Sequence, residues 1–284
     1  MQYLYPSPGT NVFLNGYGNE VSVSNFVGSF GGDITIGGNN DGAQFYINGD
    51  IVDDLQTTGY VGNVSVVVAG DIGDDAKFKS SWYLDVEVSG DIGDRLSTEY
   101  GLFSSFSVGG GVRKVVDQGG FYTTMDVDGE VTWVTLDGVN NGSYSFGELK
   151  ALATLNGSYN DLSFDVATNE RIKVLGGEDN QVTVGSGSVT FTDSGVNTTA
   201  SLGDDDDTFI FKTTGETETT YDGGEGFDTV HIDAGNTGTV INLISVERLF
   251  VGGAEIVEGV DYTGDFYIAP SGQEINFIPD ELFM

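Results

Sequence analysis

The chain is expected to be all-β, a parallel β-solenoid with coils of about 20 residues, and three observations predict it. The tripeptide Gly-Asp-Ile recurs at Gly32-Asp33-Ile34, Gly49-Asp50-Ile51, Gly70-Asp71-Ile72 and Gly90-Asp91-Ile92. Weaker copies follow at Gly110-Gly111-Val112 and Gly129-Glu130-Val131, so the leading glycines are spaced 17, 21, 20, 20 and 19 residues apart. Alternating strands precede the turns: Gln44–Ile47, Val64–Val68, Tyr83–Val88, Phe106–Val108 and Met125–Val127. Proline occurs only at Pro6, Pro8, Pro270 and Pro279, which leaves the chain between them free to form an unbroken series of hydrogen-bonded strands. A fixed period of this length marks units that cannot bury an apolar face alone and must stack. At ~3.3 Å per residue, such a period makes two or three short strands plus turns, about one coil. An antiparallel sandwich or meander would also give short strands; the in-register return of one tripeptide favours the solenoid.

Taken in order, residues 1–139 are the repeat-bearing solenoid. The simplest role for the aspartates of its Gly-Asp-Ile turns is capping, because Asp bonds nearby backbone. Asp53-Asp54 and Asp74-Asp75 add negative charge close by, and a weak cation site there stays open. From Asn140 to Arg171 the register is lost, so 140–171 reads as a junction or cap. Gly147–Leu155 within it fits a helical turn or two, or equally a strand with a polar start. Regularity returns over 172–260. Leu175-Gly176-Gly177-Glu178-Asp179-Asn180-Gln181-Val182 aligns with Leu202-Gly203-Asp204-Asp205-Asp206-Asp207-Thr208-Phe209, which aligns 21 residues on with Gly223–Val230. Residues 261–284 form a C-terminal segment.

Composition narrows the partners. Lys and Arg total 10 against 44 Asp and Glu, a formal charge of −34. Phosphate binding needs the opposite sign, so nucleic acid and anionic membrane surfaces are excluded as partners. The acidity favours cations; halophilic solvation is its other reading. With 38% hydrophobic and 12% aromatic residues the chain is not disordered. There is no cysteine for a disulfide or thiolate site. Neither an N-terminal signal peptide nor an apolar run long enough for membrane insertion is visible.

The turn Gly223-Gly224-Glu225-Gly226-Phe227-Asp228-Thr229-Val230 fits the calcium nonapeptide G-G-x-G-x-D-x-U-x at every fixed position. On this stretch the chain resembles the RTX family of secreted bacterial calcium-binding repeat proteins. The resemblance implies Ca2+ held by carboxylates and glycine-turn carbonyls, as suits a hard cation. Asp228 with the carbonyls of Gly224 and Gly226 would form one half of a site, and Asp207 and Asp205 with the Gly203 carbonyl the other. Asp204, Asp206, Asp222 and Asp179 complete the candidate set. The second copy carries Asp204 and Asp206 in place of the internal glycines, and the Leu175 copy has Asn180 in place of the ligand aspartate. One to three calcium ions are therefore expected. Val240–Gly253 resembles the strand pair that follows an RTX turn. The ending Asp280-Glu281-Leu282-Phe283-Met284 resembles a type I secretion signal, which implies a secreted or bacterial cell-surface protein.

Catalytic motifs are missing: there is no Gly-x-Ser-x-Gly elbow and no His-Glu-x-x-His helix. His231, the sole histidine, is expected on an exposed strand face. The expected function is a non-catalytic extracellular structural protein whose calcium-bound solenoid self-associates into a surface layer, filament or matrix. The alternative is a calcium-dependent adhesin that binds cell-surface polysaccharide. A polysaccharide-active β-helix enzyme ranks below both, because Arg113-Lys114 is the only basic pair and no catalytic carboxylate pair stands out. An ice-binding solenoid would need flat Thr ladders, and the strands show Thr only sporadically.

Overall fold

A computed structural model describes residues 2–3, 12–14, 20–23, 31–37, 40–59, 61–213, 217–233, 239–258, 264–268 and 275–279. The expected secretion signal at 280–284 lies outside them. Every regular element among the described residues is a β-strand, and no helix there is long and apolar enough to cross a membrane. The chain is a parallel β-solenoid. It divides into two compact units, Met1–Gly147 and Glu148–Met284.

In the first unit each coil contributes to three parallel ladders. One ladder stacks Phe45, Val66, Val86, Phe106 and Met125 in register. A second stacks Ile34, Leu55, Ala76, Leu96, Val115 and Val134. The third runs through Ile51, Ile72, Ile92, Val112 and Val131. All of these side chains are buried. The period-2 alternation turns them inward while polar neighbours face out, for example Asp85, Glu87, Ser105 and Ser107.

The Gly-Asp-Ile repeat has a three-part physical cause. Ile fills the core. The Asp carboxylate accepts a backbone N–H from the next coil: Asp50 Oδ1 from Asp71 at 3.1 Å, Asp71 Oδ1 from Asp91 at 2.9 Å, and Asp91 Oδ1 from Gly111 at 2.7 Å. Capping therefore operates between coils rather than within one turn. The glycine is required because a Cβ at Gly70, Gly90 or Gly110 would collide with the preceding coil's Asp50, Asp71 or Asp91 carboxylate. Gly90→Ala should accordingly destabilise the chain by about 1–3 kcal/mol, read by chemical denaturation, and Asp71→Ala in the same chain should recover part of the loss. An unchanged midpoint in Gly90→Ala would contradict this packing.

One repeat copy belongs elsewhere. Ile34 pairs with Leu55, so Gly32-Asp33-Ile34 sits on the second ladder, not beneath Gly49-Asp50-Ile51. Its 17-residue spacing was the sign of this. Asp33 plays the same capping part there, accepting the Asp54 N–H at 3.4 Å, as Asp54 does for the Asp75 N–H at 3.1 Å.

A different corner of the first unit carries stacked aromatics. Tyr83, Phe103 and Tyr122 hold φ values of 53°, 52° and 54°, a left-handed conformation that costs a bulky residue about 1–2 kcal/mol. Their rings form a column, with Tyr83–Phe103 and Phe103–Tyr122 centroids 5.1 and 5.0 Å apart and planes within 11° and 6°. Trp82 stacks against Tyr83 at 5.8 Å. Pairs of this kind return about 0.5–1.5 kcal/mol each, enough to offset much of the backbone cost. The column stays largely exposed: Trp82 43%, Tyr83 48%, Phe103 43% and Tyr122 46%.

The second unit continues the same construction with two long ladders. Ala153, Ile172, Phe191, Phe209, Val230 and Leu249 stack on one, and Leu162, Val182, Ala200, Tyr221 and Leu243 on the other. The segment Gly147–Leu155 is strand, part of Ser143–Ser158, with Leu149, Ala153 and Leu155 inward and Lys150 outward. Residues 140–171 hold register with the coils instead of interrupting them. Parallel order ends at the C-terminal side: Thr239–Ile244 pairs antiparallel with Gly264–Ile268, which pairs antiparallel with Ile275–Pro279. Arg248–Val251 likewise turns through Gly252-Gly253 into the antiparallel strand Ala254–Glu258.

Candidate metal centre

Thr208–Phe211, Thr229–Ile232 and Arg248–Val251 are consecutive rungs of one ladder in the second unit. The residue before each rung is acidic: Asp207, Asp228 and Glu247. In-register stacking therefore puts three carboxylates in a column, one coil apart. Asp207 Oδ1 accepts the Val189 N–H at 2.6 Å, Asp228 Oδ1 accepts the Asp207 N–H at 2.8 Å, and Glu247 Oε2 accepts the Asp228 N–H at 2.6 Å. Each carboxylate thus reaches back to the preceding coil.

The second oxygens define the chemistry. Asp207 and Asp228 are buried, at 1% and 0% exposure, and their Oδ2 atoms have no hydrogen-bond partner. Burial pushes Asp207 up to about 8, with the Asp228, Asp205 and Asp206 charges adding to it. Burial likewise pushes Asp228 up to about 6, with Glu247, Asp206 and Asp222 contributing. A buried carboxylate oxygen without a donor costs more than an exposed one, because nothing replaces its lost water. Asp228 Oδ2 and the Ser245 carbonyl oxygen both lie against the place a Cβ would occupy on Gly223. Glycine at 223 keeps that space clear of side chain, and the atoms facing it are acceptors, the donor set a hard cation takes.

The remaining expected ligands are distributed as follows. Asp204, Asp205 and Asp206 are exposed, so the acidic run sends only Asp207 inward. Asp205 has φ 82° and stands where the aligned copy has Gly226, so Asp205, and not Asp204 or Asp206, takes the place of the internal glycine. Asp206 Oδ1 accepts the Phe227 N–H at 2.9 Å, and Asp222 Oδ1 accepts the Gly224 N–H at 3.2 Å. Gly203 and Gly224 lie on adjacent coils, with φ 83° and 84°; a Cβ on Gly224 would strike the Gly203 carbonyl, and one on Gly226 the Asp205 carbonyl. The two turns are therefore stacked. Asp179 stands apart from them. Gln181 pairs with Thr199, on the other ladder of the unit, so the Leu175 turn occupies another corner of the coil. There Asp179 is exposed and accepts from the Asn197 amide at 3.2 Å, while buried Asn180 accepts the Asn160 N–H at 3.1 Å. The sequence alignment found like chemistry at unlike corners.

Sequence reasoning missed Glu247 and the Ser245 carbonyl as members of the column; the signal was the acidic residue directly before each apolar rung. It also missed two buried Asp–Tyr pairs. Tyr144 donates to Asp117 Oδ2 at 2.7 Å, and Tyr221 donates to Asp193 Oδ2 at 3.0 Å. Asp193 Oδ1 further accepts from Gly195 N–H at 2.8 Å and Thr198 Oγ1 at 3.1 Å. Burial pushes Asp117 and Asp193 up to about 6. His231, expected on an open face, is half-buried and stacks on Phe250 at 4.7 Å; burial and the Arg248 charge lower its pKa.

Among the described residues, side-chain ligands converge as a three-member cluster at Asp54, Asp74 and Asp75 in the first unit. The Lys77 ammonium already lies there, 2.7 Å from Asp75 Oδ2 and 3.2 Å from Asp54 Oδ2. A cation at the Asp207–Asp228 column would rely on carbonyls beside its carboxylates. Compared with protein-family models, curated proteins and solved structures, the chain matches none of them.

Proposed function

We propose that the chain is a calcium-stabilised, non-catalytic structural solenoid that works outside the cell and self-associates into a layer or matrix. The observation that carries this reading is the pair of buried, unpartnered Oδ2 atoms of Asp207 and Asp228 in stacked glycine turns. A bound cation would partner them and lower the repulsion of a chain at −34. Calcium would bind the folded turns and not the unfolded ones, so its presence outside a cell would order the chain by mass action. The antiparallel strands Gly264–Ile268 and Ile275–Pro279 cover the edge of Thr239–Ile244, which blunts further strand addition there. Association between copies would then run laterally. The exposed Trp82–Tyr83–Phe103–Tyr122 column is the apolar strip available for it in the first unit.

Adding millimolar calcium to chelator-treated protein should raise β-structure and particle size together, followed by circular dichroism and light scattering. Both signals unchanged would end the calcium-assembly reading. Larger particles in calcium that persist in Tyr83→Ser/Phe103→Ser would move the lateral contact away from the aromatic column.

A further inference from the structure

The chain has 10 basic residues, and three of them line one open groove of the first unit. This groove, about 410 Å³, is bounded by Asp94, Arg95, Arg113, Lys114, Trp133 and Thr135. Arg95, Lys114 and Trp133 are register partners on three successive coils, so they stand one above another at the strand spacing of ~4.8 Å. A register shift between Ile92 and Arg95 sets the edge of the groove.

Asp75, the register partner of Arg95 on the preceding coil, pairs instead with Lys77 at 2.7 Å. Arg113 is engaged, 2.9 Å from Asp94 Oδ1 and 5.5 Å from the Trp133 ring centroid. Among the described residues, neither Arg95 nor Lys114 forms an ion pair. Arg95 Nε is buried with no hydrogen-bond partner. Like charges opposite each other across a strand pair destabilise it. In a chain with 44 carboxylates, leaving two stacked cations unpaired beside an exposed tryptophan is the reverse of what surface electrostatics would select. An anion shared by both would remove the repulsion and give Arg95 Nε an acceptor.

We propose that this groove binds a carboxylate-bearing sugar of an acidic polysaccharide. A guanidinium and an ammonium one coil apart suit a planar carboxylate. Trp133, 39% exposed, offers an aromatic surface beside them for the apolar side of a sugar ring. A second groove of about 290 Å³ shares Arg113 and adds Asp91, Glu130 and Thr132, acceptors suited to hydroxyls of the next sugar. The ligand class is thus a uronate flanked by further residues of the same chain. The site lies wholly in the first unit and does not depend on the calcium reading of the second.

The test is calorimetric titration of the full chain, in fixed calcium, with hexagalacturonate. Cellohexaose, polyglutamate and a sulfated dextran serve as comparison ligands. Hexagalacturonate should bind, more weakly as salt rises, and cellohexaose should not. Lys114→Gln and Arg95→Gln should each weaken binding about tenfold or more, the loss of one charge-assisted contact. Trp133→Ala should weaken it as well, whereas Lys79→Gln, whose lysine pairs with Glu99 at 3.1 Å, should not. Lys114 is a half-buried side chain at the groove wall, so its variant remains informative if Arg95→Gln fails to fold. The proposal is overturned by no binding in the parent, or by binding unaffected in Lys114→Gln. Polyglutamate binding equally well would overturn the sugar, and sulfated dextran binding more tightly would overturn the carboxylate. Binding that needs calcium yet survives Lys114→Gln would assign it to cation bridging.

Discussion

Millimolar calcium should raise the thermal midpoint of the parent chain, and Asp207→Asn combined with Asp228→Asn should abolish that rise. Asparagine keeps an oxygen to accept the Val189 and Asp207 N–H groups, so the ladder of backbone contacts survives while the charge is lost. For a ligand at 100 times its Kd the stabilisation is about 2.7 kcal/mol, which for a chain of this size corresponds to roughly 5–10 °C. The sign reverses in chelator at pH 8. There the parent must hold Asp228 ionised, and Asp207 in part, with buried Oδ2 atoms that lack a donor, so the double variant should melt above it. Calorimetry in the two buffers separates the outcomes. A variant destabilised equally with and without calcium would mean that the aspartates are only turn caps, and the cation site would be lost with that result.

Without calcium, the parent chain should become less stable as pH rises from about 4 to 8. Asp117, Asp193 and Asp228 are raised to about 6 and Asp207 to about 8, each by burial. A raised carboxyl keeps its proton to higher pH in the folded chain than in the unfolded one. Between the ordinary value of 3.8 and the folded one, unfolding therefore releases protons, and stability falls as pH climbs. A group raised to about 6 contributes on the order of 3 kcal/mol across its window, and Asp207 roughly twice that; the growing self-repulsion acts in the same direction. On the proposed reading calcium would compete with the proton at Asp207 and Asp228, so its stabilising effect should grow with pH. Asp193→Asn, which still accepts from Tyr221, should flatten the slope between pH 4 and 6 and leave the calcium response intact. Urea midpoints at four pH values test this; a midpoint that rises with pH in chelator would refute it.

The solenoid was legible because parallel stacking repeats one side chain per coil, and Ile51, Ile72 and Ile92 announce that repetition directly. What the sequence hid was phase. More than one corner of a coil uses a glycine and a short acceptor, so Gly32-Asp33-Ile34 and Leu175–Asn180 look like members of columns to which they do not belong. The strand Ser143–Ser158 was hidden differently: it buries Tyr144, Phe146, Leu149, Ala153 and Leu155 with uneven spacing, which blurs period two toward a helical pattern. In the candidate metal centre the inward turn of Asp207 beside three exposed aspartates follows from the pairing of the next residue, Thr208, with Thr229 and Thr190, a fact no single turn contains. The Asp117–Tyr144 and Asp193–Tyr221 bonds join residues 27 and 28 apart, which is not a multiple of the coil, so periodicity could not point to them.

The two carboxylate ladders face opposite ways along the chain. In the first unit Asp50, Asp71 and Asp91 each wait for an N–H that comes later in the sequence. In the second, Val189, Asp207 and Asp228 wait for acceptors that come later still, ending at Glu247. A chain delivered N-terminus first could therefore complete the first unit coil by coil as it emerges. The buried ladder of the second closes by the same steps with the roles exchanged: each arriving coil brings the carboxylate to a waiting N–H, and the last carboxylate to arrive is that of Glu247.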